Sequence, residues 1–208
     1  VRFKVVGEDA YFLAWTTTPW TLPSNVALCV NPNETYCKVK AADGYTYYMA
    51  EALLDKVLGK LGNEEEGVKA YEVLETYTGK DLEYKEYEPL YACAAEVAAK
   101  QHKKGHFVTC DTYVTMSDGT GPAFGEDDAN VGRKYDLPFV QFVNGKGEMT
   151  EETPYAGLFV KKADPEVLKD LDAQGKLFDA PKFEHEYPHC WRCDTPLIYY
   201  ARESWFIK

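Results

Sequence analysis

Four threonines crowd into six positions, Thr16, Thr17, Thr18 and Thr21, with Pro19 and Trp20 between them and Pro23 just beyond. Threonine runs belong in strands, where β-branching suits the pleat. Here two prolines speak against a strand, because each fixes φ and removes an N–H. A stiff loop that displays four hydroxyls beyond a buried strand is a candidate polar site, able to orient a water or a carbonyl oxygen. A second candidate is the acidic run Glu126, Asp127 and Asp128, which opens a short helix. The amide end of a helix helps keep a carboxylate ionised, and capping is the competing role for Asp127 and Asp128. A third is Cys190-x-x-Cys193, half of a four-cysteine zinc site. No second such pair exists in the sequence, so two reduced thiols is the plainer reading and no metal ligand is assigned. His185 and His189 would share a face only on a helix, and Pro188 argues against one. There is no Gly-x-Ser-x-Gly, and the four histidines, His102, His106, His185 and His189, adjoin neither the threonine loop nor the acidic run.

These groups need a frame. Residues 1–6, 11–15 and 26–30 read as strands, and 36–39 with 45–48 as a hairpin turning at Asp43-Gly44. Residues 49–61 have helical spacing through Leu53, Leu54, Val57, Leu58 and Leu61, weakened at the end by Gly59 and Gly62. Residues 71–76, 82–84, 107–110 and 113–116 read as strands, and 139–143 with Asn144–Gly147 as a hairpin. The Ala-rich stretch 91–103 is helical by propensity but open to a loop. Residues 125–135 suit a short helix. Asp164-Pro165 starts another as N-cap and first residue, ending at Gly175. Many short strands with a few peripheral helices predict a β-rich α+β, barrel-like domain. The composition shifts near residue 183, so residues 1–183 are expected to be the domain and 184–208 a connecting segment.

The chain has 208 residues, 45% of them hydrophobic, which suffices for one sizeable core. It lacks an initiator Met, and strands are expected at both ends, so a piece of a longer protein is expected. No apolar run approaches the roughly 18–20 residues of a membrane span, and no secretory signal is visible. A cytoplasmic location without disulfides is expected, with Cys29, Cys37, Cys93 and Cys110 as small buried hydrophobes. A net charge of −11 argues against a free-standing nucleic-acid binder, though not against a module whose nucleic-acid affinity is supplied elsewhere.

The segment TTTPWTLPSN, residues 16–25, closely resembles the threonine-rich peptide in the inserted editing domain of isoleucyl-tRNA synthetases. Valyl and leucyl relatives carry charged variants of the form TTRPxT. Thr18 stands where they have arginine, which favours the isoleucyl family. GTG at 119–121 followed by PAFGEDD at 122–128 resembles the family's second site segment. PHCWRCDTPLIYYARESWF, residues 188–206, resembles the return connection to the catalytic domain. The resemblance covers the whole chain.

The resemblance implies a barrel-like editing domain inserted in a nucleotide-binding catalytic domain. Its reaction would be hydrolysis of the ester joining a misattached valine to the 3′ end of tRNA(Ile). The partners would be that tRNA end and the parent's catalytic domain. No cofactor is expected in this chain, whereas the parent would use ATP and magnesium, with zinc a further candidate. Asp128 matches the motif aspartate and would hold the substrate's α-ammonium group. Thr17 and Thr18 would orient the ester carbonyl and the water, with Thr16 and Thr21 beside them. Asn25 would reach the terminal ribose or backbone, and Asp127 would assist at the acidic end. Trp20 would stack on the adenine or anchor the loop, with equal weight on each.

One stretch departs from the family pattern, which reads GTG, two apolar residues, then His-x-Ala-Pro. Here Gly121 runs straight into Pro122, and a histidine-bearing segment of about five residues is absent. A real loss would remove roughly 16 Å of strand and reverse the facing of the side chains beyond it. The expectation is therefore that residues are omitted from the sequence, and the discriminating histidine is assigned to no position. If the loss is real, the alternative is a non-catalytic insert that binds tRNA or a partner domain. A redox or zinc-ribbon module built on Cys190 and Cys193 is a third class, weakened by its missing ligands.

Overall fold

The computed structural model describes residues 1–63, 65, 67–115, 126–182 and 189–198, with Glu126 and Asp127 described by backbone alone. The strands are β1 (Arg2–Lys4), β2 (Tyr11–Leu13), β3 (Ala27–Val30), β4 (Thr35–Ala41), β5 (Thr46–Ala50), β6 (Tyr71–Thr78) and β7 (Phe107–Cys110). The helices are α1 (Leu54–Leu58), α2 (Ala92–Lys100), α3 (Glu126–Lys134) and α4 (Val160–Ala173).

The β4–β5 hairpin follows from its turn. Gly44 sits at φ +87° and the Asp43 carboxylate accepts the Tyr45 N–H at 3.0 Å. From that turn the side chains alternate with period two. Cys37, Val39, Tyr47 and Met49 face one cluster with Leu54 and Leu58 of α1. Tyr36, Tyr48 and Ala50 face the larger core, which also takes Phe3, Phe12, Leu28, Val108 and the α4 residues Val160, Ala163, Val167 and Leu171.

The barrel expected from the sequence is not formed. Among the described residues, five strands make an open sheet in the order β1-β2-β5-β4-β6, while β3 and β7 form a separate parallel pair. Closure would need the edge strands β1 and β6 to meet, but among the described residues β6 pairs with β4 alone and is exposed along most of its length. The architecture is a mixed α/β arrangement, with a small open sheet, a two-stranded sheet and peripheral helices.

Other expectations shift locally. Met49 stays in β5, buried opposite Cys37, so the helix expected over 49–61 shrinks to α1 flanked by 3-10 turns. Residues 82–84 are no strand: a 3-10 helix, Gly79–Leu82, is capped at Thr78 by Asp81, and Tyr84 follows at φ +66°. Residues 113–115 are not in a strand, and residues 139–143 contribute only an isolated Val143–Met149 bridge. The Ala-rich stretch is helical, as α2. Helix α4 begins at Val160, four residues ahead of Asp164, and carries Pro165 within it; Gly175 at φ +68° follows its C-cap.

Glu8 ties the sheet to the segment after β6. Its carboxylate accepts from Lys38 at 3.0 Å and from the Tyr48 hydroxyl at 2.8 Å, and it also pairs with Lys85. Burial pushes the carboxyl up, but hydrogen bonds from Lys85, Tyr48 and Lys38 outweigh this and draw it from 4.5 down to about 2. A carboxyl lowered on folding adds stability above its unfolded value, and that stability is lost as pH falls toward the folded value. Because the carboxylate is partly solvated, the contribution is discounted to about 1–2 kcal/mol. Urea midpoints compared between neutral pH and about pH 3 should therefore fall further for this chain than for Glu8→Gln. Equal acid losses in the two proteins would show that the cluster contributes nothing.

Candidate functional site

Both prolines of the threonine loop lie inside a buried 3-10 helix, Pro19–Ser24. The residues before it fold back on their own hydroxyls. Thr18 N–H donates to Thr16 Oγ1 at 3.1 Å, and Thr18 Oγ1 stands 3.2 Å from Thr16 Oγ1 and 3.4 Å from Thr21 Oγ1. Thr21 donates its hydroxyl to the Thr18 carbonyl at 2.7 Å. Thr16, Thr18 and Thr21 thus bind one another, while Thr17 is exposed.

Helix α4 and Tyr87 hold this loop. Helix α4 packs against the 3-10 turn, and Asp164 accepts the Trp20 backbone N–H at 2.9 Å. Burial pushes the Asp164 carboxyl up, opposed by that amide and by Lys161. The Tyr87 hydroxyl donates to Asn25 Oδ1 at 2.7 Å, and Asn25 Nδ2 donates to the Ala27 carbonyl at 2.9 Å. Trp20 and Asn25 are each 3% exposed. Their side chains are packed into the domain, which fits anchoring the loop.

A cavity of about 650 Å³ is lined by Thr17, Trp15 and Thr115 together with core residues such as Leu28, Val30 and Val108. Thr17 is the threonine of the loop that lines it. Asp128 is not among the lining residues; it sits in α3, half-buried, and accepts the Tyr113 hydroxyl at 2.7 Å. Val131 seats α3 on Cys29 of β3 and on Val114. Asp127 is in the same helix, its side chain outside the described residues, as are residues 116–125, where Gly121 meets Pro122.

Cys190 and Cys193 occupy a tight loop closed by Cys190 N–H to Thr195 O at 2.9 Å and Asp194 N–H to Cys190 O at 2.8 Å. Hydrogen bonds to the Thr195 side chain and backbone hold the Cys193 thiol below its ordinary value. Among the described residues no group of three or more potential ligands gathers around a metal position. His185 lies outside the described residues.

Sequence reasoning gave no site role to Tyr113, Tyr87 or Thr115, and read Asp164 as a helix cap. Tyr113, Tyr87 and Asp164 bond to partners distant in sequence, while Thr115 lines the cavity.

The fold is that of a synthetase editing domain. It resembles GlLeuRS-CP1 at a TM-score of 0.57 and 14% identity, covering 86% of this chain and 87% of that one. It resembles the P. knowlesi cytosolic leucyl-tRNA synthetase editing domain at 0.53 and 15%, covering 80% and 83%. No protein-family model matches the chain. Relatives by sequence are isoleucine–tRNA ligases, 47% identical in Clostridium acetobutylicum, 46% in Clostridium novyi and 43% in Bacillus thuringiensis. Each match takes in the whole chain and 19% of the relative's length, so the chain spans about a fifth of these proteins. The chain belongs to the isoleucine–tRNA ligase family. The first alignment runs over 215 residues against 208 in the chain, so that relative holds residues with no counterpart here.

Proposed function

We propose that the domain hydrolyses the aminoacyl ester of valyl-tRNA(Ile), within a cytoplasmic isoleucine–tRNA ligase whose catalytic domain supplies most of the tRNA affinity. Isoleucyl enzymes are the usual illustration of why such a step exists: one missing methylene gives modest discrimination, and a second site removes the smaller product. The carrying observation is the threonine loop, complete in sequence and tied down by Asp164 and Tyr87, with Thr17 at the cavity. An activated ester needs little beyond a placed water and a stabilised oxyanion. Thr17 would orient the water or the carbonyl, and Thr18, held between Thr16 and Thr21, would fix the loop's hydroxyl array. Asp128 would hold the α-ammonium, with Asp127 beside it. Water adds to the carbonyl carbon, the ester C–O bond breaks, and the ribose oxygen leaves with a proton, giving valine and free tRNA. Residues 1–183 would form the working domain, and 184–208 would lead back to the catalytic body.

Side-by-side hydrolysis of valyl-tRNA(Ile) and isoleucyl-tRNA(Ile) tests the substrate assignment. Faster release of valine is expected; equal rates would remove the selectivity. The absent histidine segment favours a second reading, a non-catalytic insert. Saturable tRNA binding with no ester hydrolysis would support it.

A further inference from the structure

We propose that Tyr113 is a positioning residue for Asp128, its phenol fixing the carboxylate that receives the substrate's ammonium group. The inference rests on the ammonium-anchor reading of Asp128 and deepens it. Tyr113 and Asp128 lie on opposite sides of residues 116–125, yet the hydroxyl and Asp128 Oδ1 are 2.7 Å apart. The bond joins α3 directly to the segment after β7, so the carboxylate has an anchor independent of residues 116–125. Tyr113 is itself held. It is half-buried and packs in a cluster with Cys29, Val114 and Val131, where Asp111 accepts its backbone N–H at 3.3 Å. A phenol in this setting stays protonated, because burial and the neighbouring carboxylate both push its ionisation far up. It can only donate to an ionised Asp128.

A carboxylate has two oxygens and about four lone-pair directions, so one phenol uses a fraction of its capacity. An ammonium group brings three donors. The phenol therefore orients the acid without competing for the whole of it, and a hydrogen bond to the charged form favours that form. The same segment ends at Thr115, which lines the cavity with Thr17. Tyr113 thus links the acid to the chain that forms the cavity wall.

The test uses two non-hydrolysable probes, valyl-adenosine with an amide in place of the ester and its isostere lacking the amino group. Calorimetry on the whole chain gives the ratio of their affinities, which reads the ammonium contact alone. Tyr113→Phe keeps the ring and should fold, with a thermal melt as control. The ratio should fall about three- to tenfold in Tyr113→Phe, and in Asp128→Asn it should approach unity. In the double variant, Tyr113→Phe should then have no further effect on it. A merely structural tyrosine would lower the melting temperature and weaken both probes alike, leaving the ratio unchanged. If Asp128→Asn abolishes the ratio while Tyr113→Phe preserves it, the positioning role is overturned and the anchor stands. If neither variant changes it, the anchor reading fails and the positioning role fails with it.

Discussion

Replacing Asp128 by alanine should slow hydrolysis of valyl-tRNA(Ile) by roughly one to two decades, because a charge-assisted bond of about 1.5–3 kcal/mol is lost. Displacement of the substrate would enlarge the loss. Asp128→Asn is the sharper variant. Asparagine is nearly the same size and shape as aspartate, and it retains an oxygen for the Tyr113 hydroxyl, which stands 2.7 Å from the carboxylate. It lacks the charge. If Asp128 serves the ammonium group, Asn should be nearly as slow as Ala while melting close to the parent. If Asp128 is only a helix-end residue, Asn should be silent. The assay is to be run on the chain as it stands and with the family's histidine segment restored between Gly121 and Pro122. Full activity of the Asn variant in both would contradict the assignment.

Gly79→Ala should be the most damaging small substitution in the fold. Gly79 opens the 3-10 helix after β6 and donates its N–H to the Glu34 carbonyl at 2.9 Å. A Cβ there would stand 2.0 Å from the Asn31 carbonyl oxygen and 2.8 Å from its carbon. Those neighbours are backbone and cannot rotate away. Asn31 in turn donates its side-chain amide to the Val114 carbonyl at 2.9 Å, beside Tyr113. The cost should be about 3 kcal/mol, lowering the melting temperature by about 6–12 °C for a chain of this size. Gly59→Ala is the control, since its added Cβ meets nothing within 4 Å. It should be neutral or stabilising by up to about 1 kcal/mol. Similar melting temperatures for the two variants would show that the 79–31 contact is not tight.

Local chemistry made part of this protein legible. Asp43-Gly44 encodes the β4–β5 turn, and the alternation through Cys37, Val39, Tyr47 and Met49 encodes the sheet's faces. Pro19 and Pro23 mark the threonine loop as a rigid turn, and Gly175 marks the end of α4. The misleading step was the one from many short strands to a barrel. Strand count does not say which edges meet, and among the described residues β6 pairs with β4 alone and meets no strand at its other edge. Asp164 misled for a related reason. Asp-Pro is a good helix start, but Phe159 and Val160 are already engaged with the core, and burying them draws the helix back four residues. The Asp164 side chain is then spent on the Trp20 amide, 144 positions away. Residue type singled out the threonine loop and Asp128 as candidates, but the reach of Tyr113 to Asp128 and of Tyr87 to Asn25 is a tertiary property. No spacing rule in the sequence encodes it.

The most direct measurement is the initial rate of valine release from valyl-tRNA(Ile) by this chain, over spontaneous hydrolysis of the same ester. Enzyme-dependent release is expected, proportional to chain concentration and reduced in Asp128→Asn. Release no faster than the spontaneous rate, with the chain folded and binding the tRNA, would contradict it and leave a tRNA-binding insert in its place.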